Sequence, residues 1–189
     1  ERTTLFLKPG YDLQLALDTK MFDETLALEG IGSDENNFLA QKYLLIEEKL
    51  PTTSSLYALE TEPFLKTISD IKLDLESALK ATEASATFTA IELKNLEYDY
   101  LFSLRKYPTY HKHFAKKDSI DLPSTFLKPL DNLNLDNAED YQLYSNYRDV
   151  VGFDFMESLD EDADAKTIVD KLNTYSKAFL ILLSENKKE

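Results

Sequence analysis

A chain of 189 residues with a hydrophobic fraction of 43% is long and apolar enough to bury a core, and its formal charge of -14, from 35 acidic against 21 basic residues, opposes polyanionic partners. The absence of cysteine excludes a thiol nucleophile, a disulfide, a C-x-x-C redox pair and a cysteine-based zinc site. The longest apolar run, residues 178–183, is far shorter than the roughly 20 residues that cross a bilayer, and Glu1 opens no signal-peptide pattern. The expectation is a protein with no nucleic-acid partner and no membrane-spanning segment, either cytosolic or carrying a targeting segment outside this sequence.

Three of the four glycines, Gly10, Gly30 and Gly32, fall in the first 32 residues, so the architecture is expected to change near residue 33. Before that point, residues 4–7 and the alternating Leu13-Gln-Leu-Ala-Leu17 read as strands joined by a Pro9-Gly10 turn, a hairpin. Residues 25–29, closed by Gly30-Ile-Gly32, read as a third strand. So small a sheet is marginal alone; it must pack on the helices or belong to a larger sheet whose earlier strands are missing, and the second is the expectation, residues 1–33 being the remnant of a β-domain.

From Ser33 the period becomes helical, with Ser33 or Asp34 as N-cap and Asp34-Glu35 suiting the helix dipole. Phe38, Leu39, Tyr43 and Ile46 form the expected buried stripe, and Pro51 ends the helix. A second helix opens near Glu62-Pro63 with Phe64, Ile68, Ile71, Leu75 and Leu79 inward. After a break near 82–86, a third runs from about Phe88 to Leu104 with Leu93, Leu96, Tyr100, Leu101 and Leu104 inward.

Residues 105–137 carry Pro108, Pro123 and Pro129 and read as short helices and turns. Two further helices are predicted over 138–159, with Tyr144, Tyr147, Val151 and Phe155 aligned, and over 163–183, with Ile168, Leu172, Tyr175, Phe179 and Leu182 aligned. The fold class is thus mainly α, an irregular multi-helix domain over residues 34–189, with a small antiparallel β segment of two or three strands over residues 1–33, α+β as a whole. No repeat supports a solenoid.

Both histidines lie in Tyr107-Pro-Thr-Tyr-His-Lys-His-Phe114. On a helix, His111 and His113 project roughly 200° apart, and no third ligand stands at a recognised spacing, so the segment is expected to be a helix-to-helix connector anchored by Tyr107 and Tyr110, with its histidines facing outward. Asp160-Glu-Asp-Ala-Asp164 has acids at positions 1, 3 and 5 of a calcium loop but lacks the glycine and the final glutamate, so it reads as the acidic start of the last helix, capped by Asp160 or Asp162. Tyr107, Tyr110, Tyr141 and Tyr144 are candidates for an exposed aromatic cluster, which with His111 and His113 forms the candidate interaction surface. No Gly-rich phosphate loop, G-x-S-x-G or H-E-x-x-H occurs, and no catalytic, cofactor-binding or metal residue and no cofactor is assigned.

Leu5-Phe-Leu-Lys-Pro-Gly10, Leu13-Gln-Leu-Ala-Leu-Asp18, Phe22-Asp-Glu-Thr-Leu-Ala-Leu-Glu-Gly30 and Asn36-Asn-Phe-Leu39 follow in an order that resembles the region upstream of the thioredoxin-like domain in TlpA-family disulfide reductases of Bacteroidetes envelopes. Tyr107-Pro-Thr-Tyr-His111 and Ser145-Asn-Tyr147 with Val150-Val151 resemble the helical region of the same family. Tyr11 departs from its Pro-Gly-Asp pattern, and the C-x-x-C domain is absent. The resemblance implies a non-catalytic accessory domain that positions the redox domain, or recognises protein substrates, of an exported thiol-disulfide oxidoreductase. Its partners would be a C-terminal thioredoxin-like domain and protein substrates, and its location the periplasm or cell envelope, with lipid anchoring through an N-terminal segment. The alternatives are a stand-alone envelope binding or scaffold protein and, less favoured, a hydrolase using carboxylates or the histidine pair.

Overall fold

A computed structural model describes residues 3–50, 52–159 and 164–175. Its contacts divide the chain into two compact units, Glu1–Leu96 and Glu97–Glu189. Among the described residues there are eight α-helices and one two-stranded antiparallel sheet, so the chain is mainly α with a small β segment, as the sequence indicates.

In the first unit, β1 (Asp12–Ala16) pairs with β2 (Ala27–Ile31), with Asp12 opposite Ile31 and Ala16 opposite Ala27; the short helix α1 (Phe22–Thr25) lies between them in sequence. The expected hairpin between residues 4–7 and 13–17 is not formed. The Asn36 side chain takes the hydrogen bonds a partner strand would supply: its Oδ1 accepts from the Phe6 amide at 2.8 Å and its Nδ2 donates to the Phe6 carbonyl at 3.0 Å. Strand β2 ends in a bend that only glycines fit. At Gly30, φ is +98° and a Cβ would lie 2.1 Å from the Asp12 carbonyl oxygen; at Gly32, φ is +95° and a Cβ would strike the Tyr11 ring.

Helix α2 (Ser33–Lys49) follows at once. Gly32, not Ser33 or Asp34, occupies its cap position, and no side chain caps it. Phe38 is buried and Leu39 and Ile46 are half-buried, but Tyr43 is 54% exposed, which removes it from the expected stripe. Helix α3 (Thr53–Tyr57) is capped by Thr52, whose hydroxyl accepts from the Ser55 amide. Helix α4 (Thr61–Ala81) buries Phe64, Ile68, Leu75 and Leu79 as the spacing predicts, with Ile71 half-buried. Phe38, Leu79 and Phe88 form a core cluster against which Phe6 and Leu39 pack. At about 25 cal/mol per Å2 of apolar surface, each such ring contributes on the order of 2 kcal/mol of transfer free energy.

The break between the second and third helices lies where expected, with α4 ending at Ala81 and α5 (Ala86–Ala115) beginning at Ala86. Helix α5 runs past Leu104 and carries Pro108 inside it, contrary to the connector expected there. Its contacts explain the persistence. The Arg105 guanidinium donates to Asp154 at 2.6 Å, Tyr107 stacks on His111 with centroids 4.9 Å apart, and Tyr110 meets Phe114 edge to face. A proline forfeits one helical hydrogen bond, and side-chain contacts spaced by four on either side outweigh it.

A 3-10 turn (Lys128–Asn132) leads to α6 (Ala138–Leu143), α7 (Ser145–Glu157) and α8 (Ala165–Thr174). The helix predicted over 138–159 is therefore two, parted at Tyr144, whose extended backbone (φ -117°, ψ 113°) ends one and precedes the other. Tyr144, Tyr147, Val151 and Phe155 are all buried. The caps expected at Asp160 or Asp162, and the alignment of Phe179 and Leu182, lie outside the described residues. Asp164 caps α8, accepting from the Thr167 amide at 2.7 Å.

Candidate interaction surface

The stripe of α5 in the second unit places Tyr98, Leu101, Leu104 and Tyr107 inward, all buried. Tyr98 meets Tyr144 at 5.5 Å and Tyr147 at 5.1 Å between centroids, and Tyr141 meets Tyr147 at 6.4 Å. Tyr107 is flanked by His111 and by Phe126, the latter at 5.2 Å. The aromatic cluster expected at the surface is therefore largely core: Tyr107, Tyr141, Tyr144 and His111 are buried, Tyr110 is half-buried, and His113 alone of the six is exposed. A helical stripe of this length buries tyrosines as fully as leucines when each hydroxyl finds a partner.

The two histidines point to different environments, His111 into the aromatic core and His113 to solvent. That is the divergence a helix imposes on residues two apart, although the outward orientation expected of both holds only for His113. Neither lines the two cavities described below, and among the described residues no three His, Asp or Glu side chains converge as a metal site.

A polar centre that the sequence did not mark lies beside the tyrosines. Asn137 caps α6, and its side chain accepts from the Asp140 amide at 3.1 Å and donates to the Asp140 carboxylate at 2.8 Å. The Tyr98 hydroxyl donates to the same carboxylate oxygen at 2.5 Å. Burial, reinforced by this hydrogen bond, holds the Tyr98 phenol far above its ordinary range. Tyr147 donates to the Asn134 carbonyl at 2.5 Å and accepts from the Asn137 amide at 3.1 Å. A cavity of about 290 Å3 opens against this network, lined on its polar side by Glu97, Asn132, Asn134, Asn137 and Asp140. An asparagine three residues before Asp140 is a local capping signal missed in the sequence, and the meeting of Asp140 with Tyr98, 42 residues away in sequence, has no local signal at all.

A second cavity of about 420 Å3 is lined by Ser158, Thr167, Asp170, Lys171 and Tyr175. Tyr175 donates to Asp154 at 2.5 Å, and burial with that bond pushes its phenol up to about 12. Lys106 lies over the Phe102 ring at 4.1 Å and the Tyr110 ring at 5.3 Å, and burial lowers its pKa. Around the first cavity Tyr98, Asn137 and Asp140 hydrogen-bond one another, and at the second the Lys171 ammonium donates to the Ser158 carbonyl at 2.5 Å, so each presents fixed polar groups that can hold a small polar group.

The first unit carries a different surface. Of the ten large hydrophobic side chains exposed among the described residues, Leu5, Leu7, Leu15, Met21 and Ile31 belong to its first 31 residues, around β1 and β2. Among the described residues no helix is long and apolar enough to cross a membrane. No protein-family model, no curated protein and no solved structure matches this chain.

Proposed function

We propose that this chain is a non-catalytic helical module of an exported, TlpA-like thiol-disulfide oxidoreductase of the cell envelope, positioning a thioredoxin-like redox domain or recognising its protein substrates. The observation that carries the reading is the double asparagine. Asn36 holds the Phe6 amide and carbonyl, and Asn37 holds the Leu28 amide and carbonyl at 2.9 and 2.8 Å. The motifs that resemble that family, an extended Phe-Leu before Pro-Gly, a strand ending in Gly, and Asn-Asn, thus form one physical unit. With no cysteine in the chain, thiol chemistry has to come from another domain. Sequencing the transcript that encodes this chain tests the reading: an export signal upstream and an in-frame C-x-x-C downstream are expected, and a transcript lacking both removes it.

The exposed apolar side chains around β1 and β2 favour a second reading, a stand-alone envelope binding or scaffold protein. A stop codon soon after Glu189 in that transcript selects it over the first.

A further inference from the structure

The two edges of the β1–β2 pair are unequal. In an antiparallel ladder, residues alternate between pairs that exchange both backbone hydrogen bonds and pairs that exchange none. Leu28 gives its amide and its carbonyl to Asn37, so it faces away from β1, and Leu15 opposite it is the other half of a non-bonded pair. Leu13 opposite Gly30, two residues along, is in the same phase. The ladder bonds therefore run through Asp12, Gln14 and Ala16, and Leu13 and Leu15 aim their N–H and C=O groups outward. Asn37 closes the outer side of β2, but among the described residues no hydrogen bond reaches the Leu13 or Leu15 backbone from the outer side of β1.

We infer that the outer edge of β1 is a strand-acceptor site for an extended partner segment in which apolar and basic residues alternate. Leu13 and Leu15, the latter 49% exposed, give one face of an added strand apolar neighbours. On the opposite face β1 presents Asp12 and Gln14 to an added strand, with Glu29 and Ile31 one strand behind on β2, all four exposed, and neither strand carries a basic residue. Cross-strand pairing of opposite charges stabilises an added strand and like charges oppose it. A second copy brings the same charge of -14 and the same acidic face, which selects a basic partner over self-association. The inference rests on backbone geometry and holds whether or not the redox parent exists.

The test titrates the 15N-labelled chain with a seven-residue peptide alternating valine and lysine, and with its valine–glutamate counterpart, at low salt. Saturable binding of the lysine peptide is expected, slowing amide exchange at Leu13 and Leu15 by about tenfold or more while α4 is unchanged, with the glutamate peptide about tenfold weaker. Leu15→Pro removes an outward N–H without touching a ladder bond and is expected to abolish protection with the helical circular dichroism retained. Should that variant unfold, the double change Asp12→Lys and Glu29→Lys decides, because it is expected to invert the preference between the peptides. Unchanged exchange at Leu13 and Leu15 in millimolar lysine peptide, equal affinity for both peptides, or a dimer whose contact covers β1 overturns the inference.

Discussion

Burial alone raises a carboxyl's pKa, yet Glu35 is held down to about 2, because the Tyr11 hydroxyl donates to it at 2.8 Å and its own amide and that of Ser85, the latter at 3.1 Å, donate as well. Its folded pKa lies below the unfolded value near 4.5, so its contribution is fully present above that value and is lost as pH falls toward about 2. Urea unfolding between pH 6 and pH 2.5 is expected to show stability falling through this window. Glu35→Gln is expected to cost on the order of 1–3 kcal/mol at pH 7 and to flatten the decline. A variant with the same acid limb as the parent would show that other carboxylates govern it. Asn36→Ala is expected to cost about 2–3 kcal/mol by the same measurement, because it strands the Phe6 amide and carbonyl that Asn36 satisfies and loses the Nδ2 bond to the Gly32 carbonyl at 2.7 Å. Asp34-Glu35 was legible as acid at a helix start; that Glu35 turns inward to a residue 50 positions away was not, because nothing local encodes it.

Helix α4 was legible because its apolar residues repeat at one period with polar residues between them, and its buried face follows that pattern. The strands expected at 13–17 and 25–29 correspond to β1 and β2, and only the one at 4–7 fails: those residues have strand composition, but the Asn36 amide competes for their backbone. At Pro108 the breaker rule yielded to packing, so the segment holding both histidines became the last turns of α5 and His111 became core. Two substitutions separate these contributions. Pro108→Ala is expected to raise the unfolding free energy by about 1 kcal/mol or more by restoring a helical hydrogen bond. Tyr107→Ala is expected to lower it by about 3–5 kcal/mol, because it empties a fully buried ring site between His111 and Phe126. Equilibrium denaturation measures both, and a Pro108→Ala variant less stable than the parent would show that the surrounding side chains require the proline's geometry.

At the scale of the molecule, 35 acidic groups face 21 basic ones, and favourable pairs must be weighed against the excess. Exposed pairs such as Lys66–Asp70 and Lys166–Asp170 contribute at most a few tenths of a kcal/mol each and weaken in salt. Lys42–Glu92 and Arg105–Asp154 are more enclosed, so salt screens them less. Repulsion among the unpaired acids is long-ranged in dilute buffer, where the Debye length is about 30 Å at 0.01 M, and it shrinks to contacts within about 8 Å at 0.15 M. Losing the repulsion therefore outweighs losing the exposed pairs. Raising sodium chloride from 0.01 to 0.15 M near pH 7 is expected to raise Tm by a few degrees, equivalent to a stabilisation of about 1 kcal/mol in a chain of this size, with little further change before specific salt effects enter. Scanning calorimetry across that range measures it. A Tm that falls on adding salt would mean that the exposed ion pairs, rather than the net charge, dominate the electrostatics of the fold.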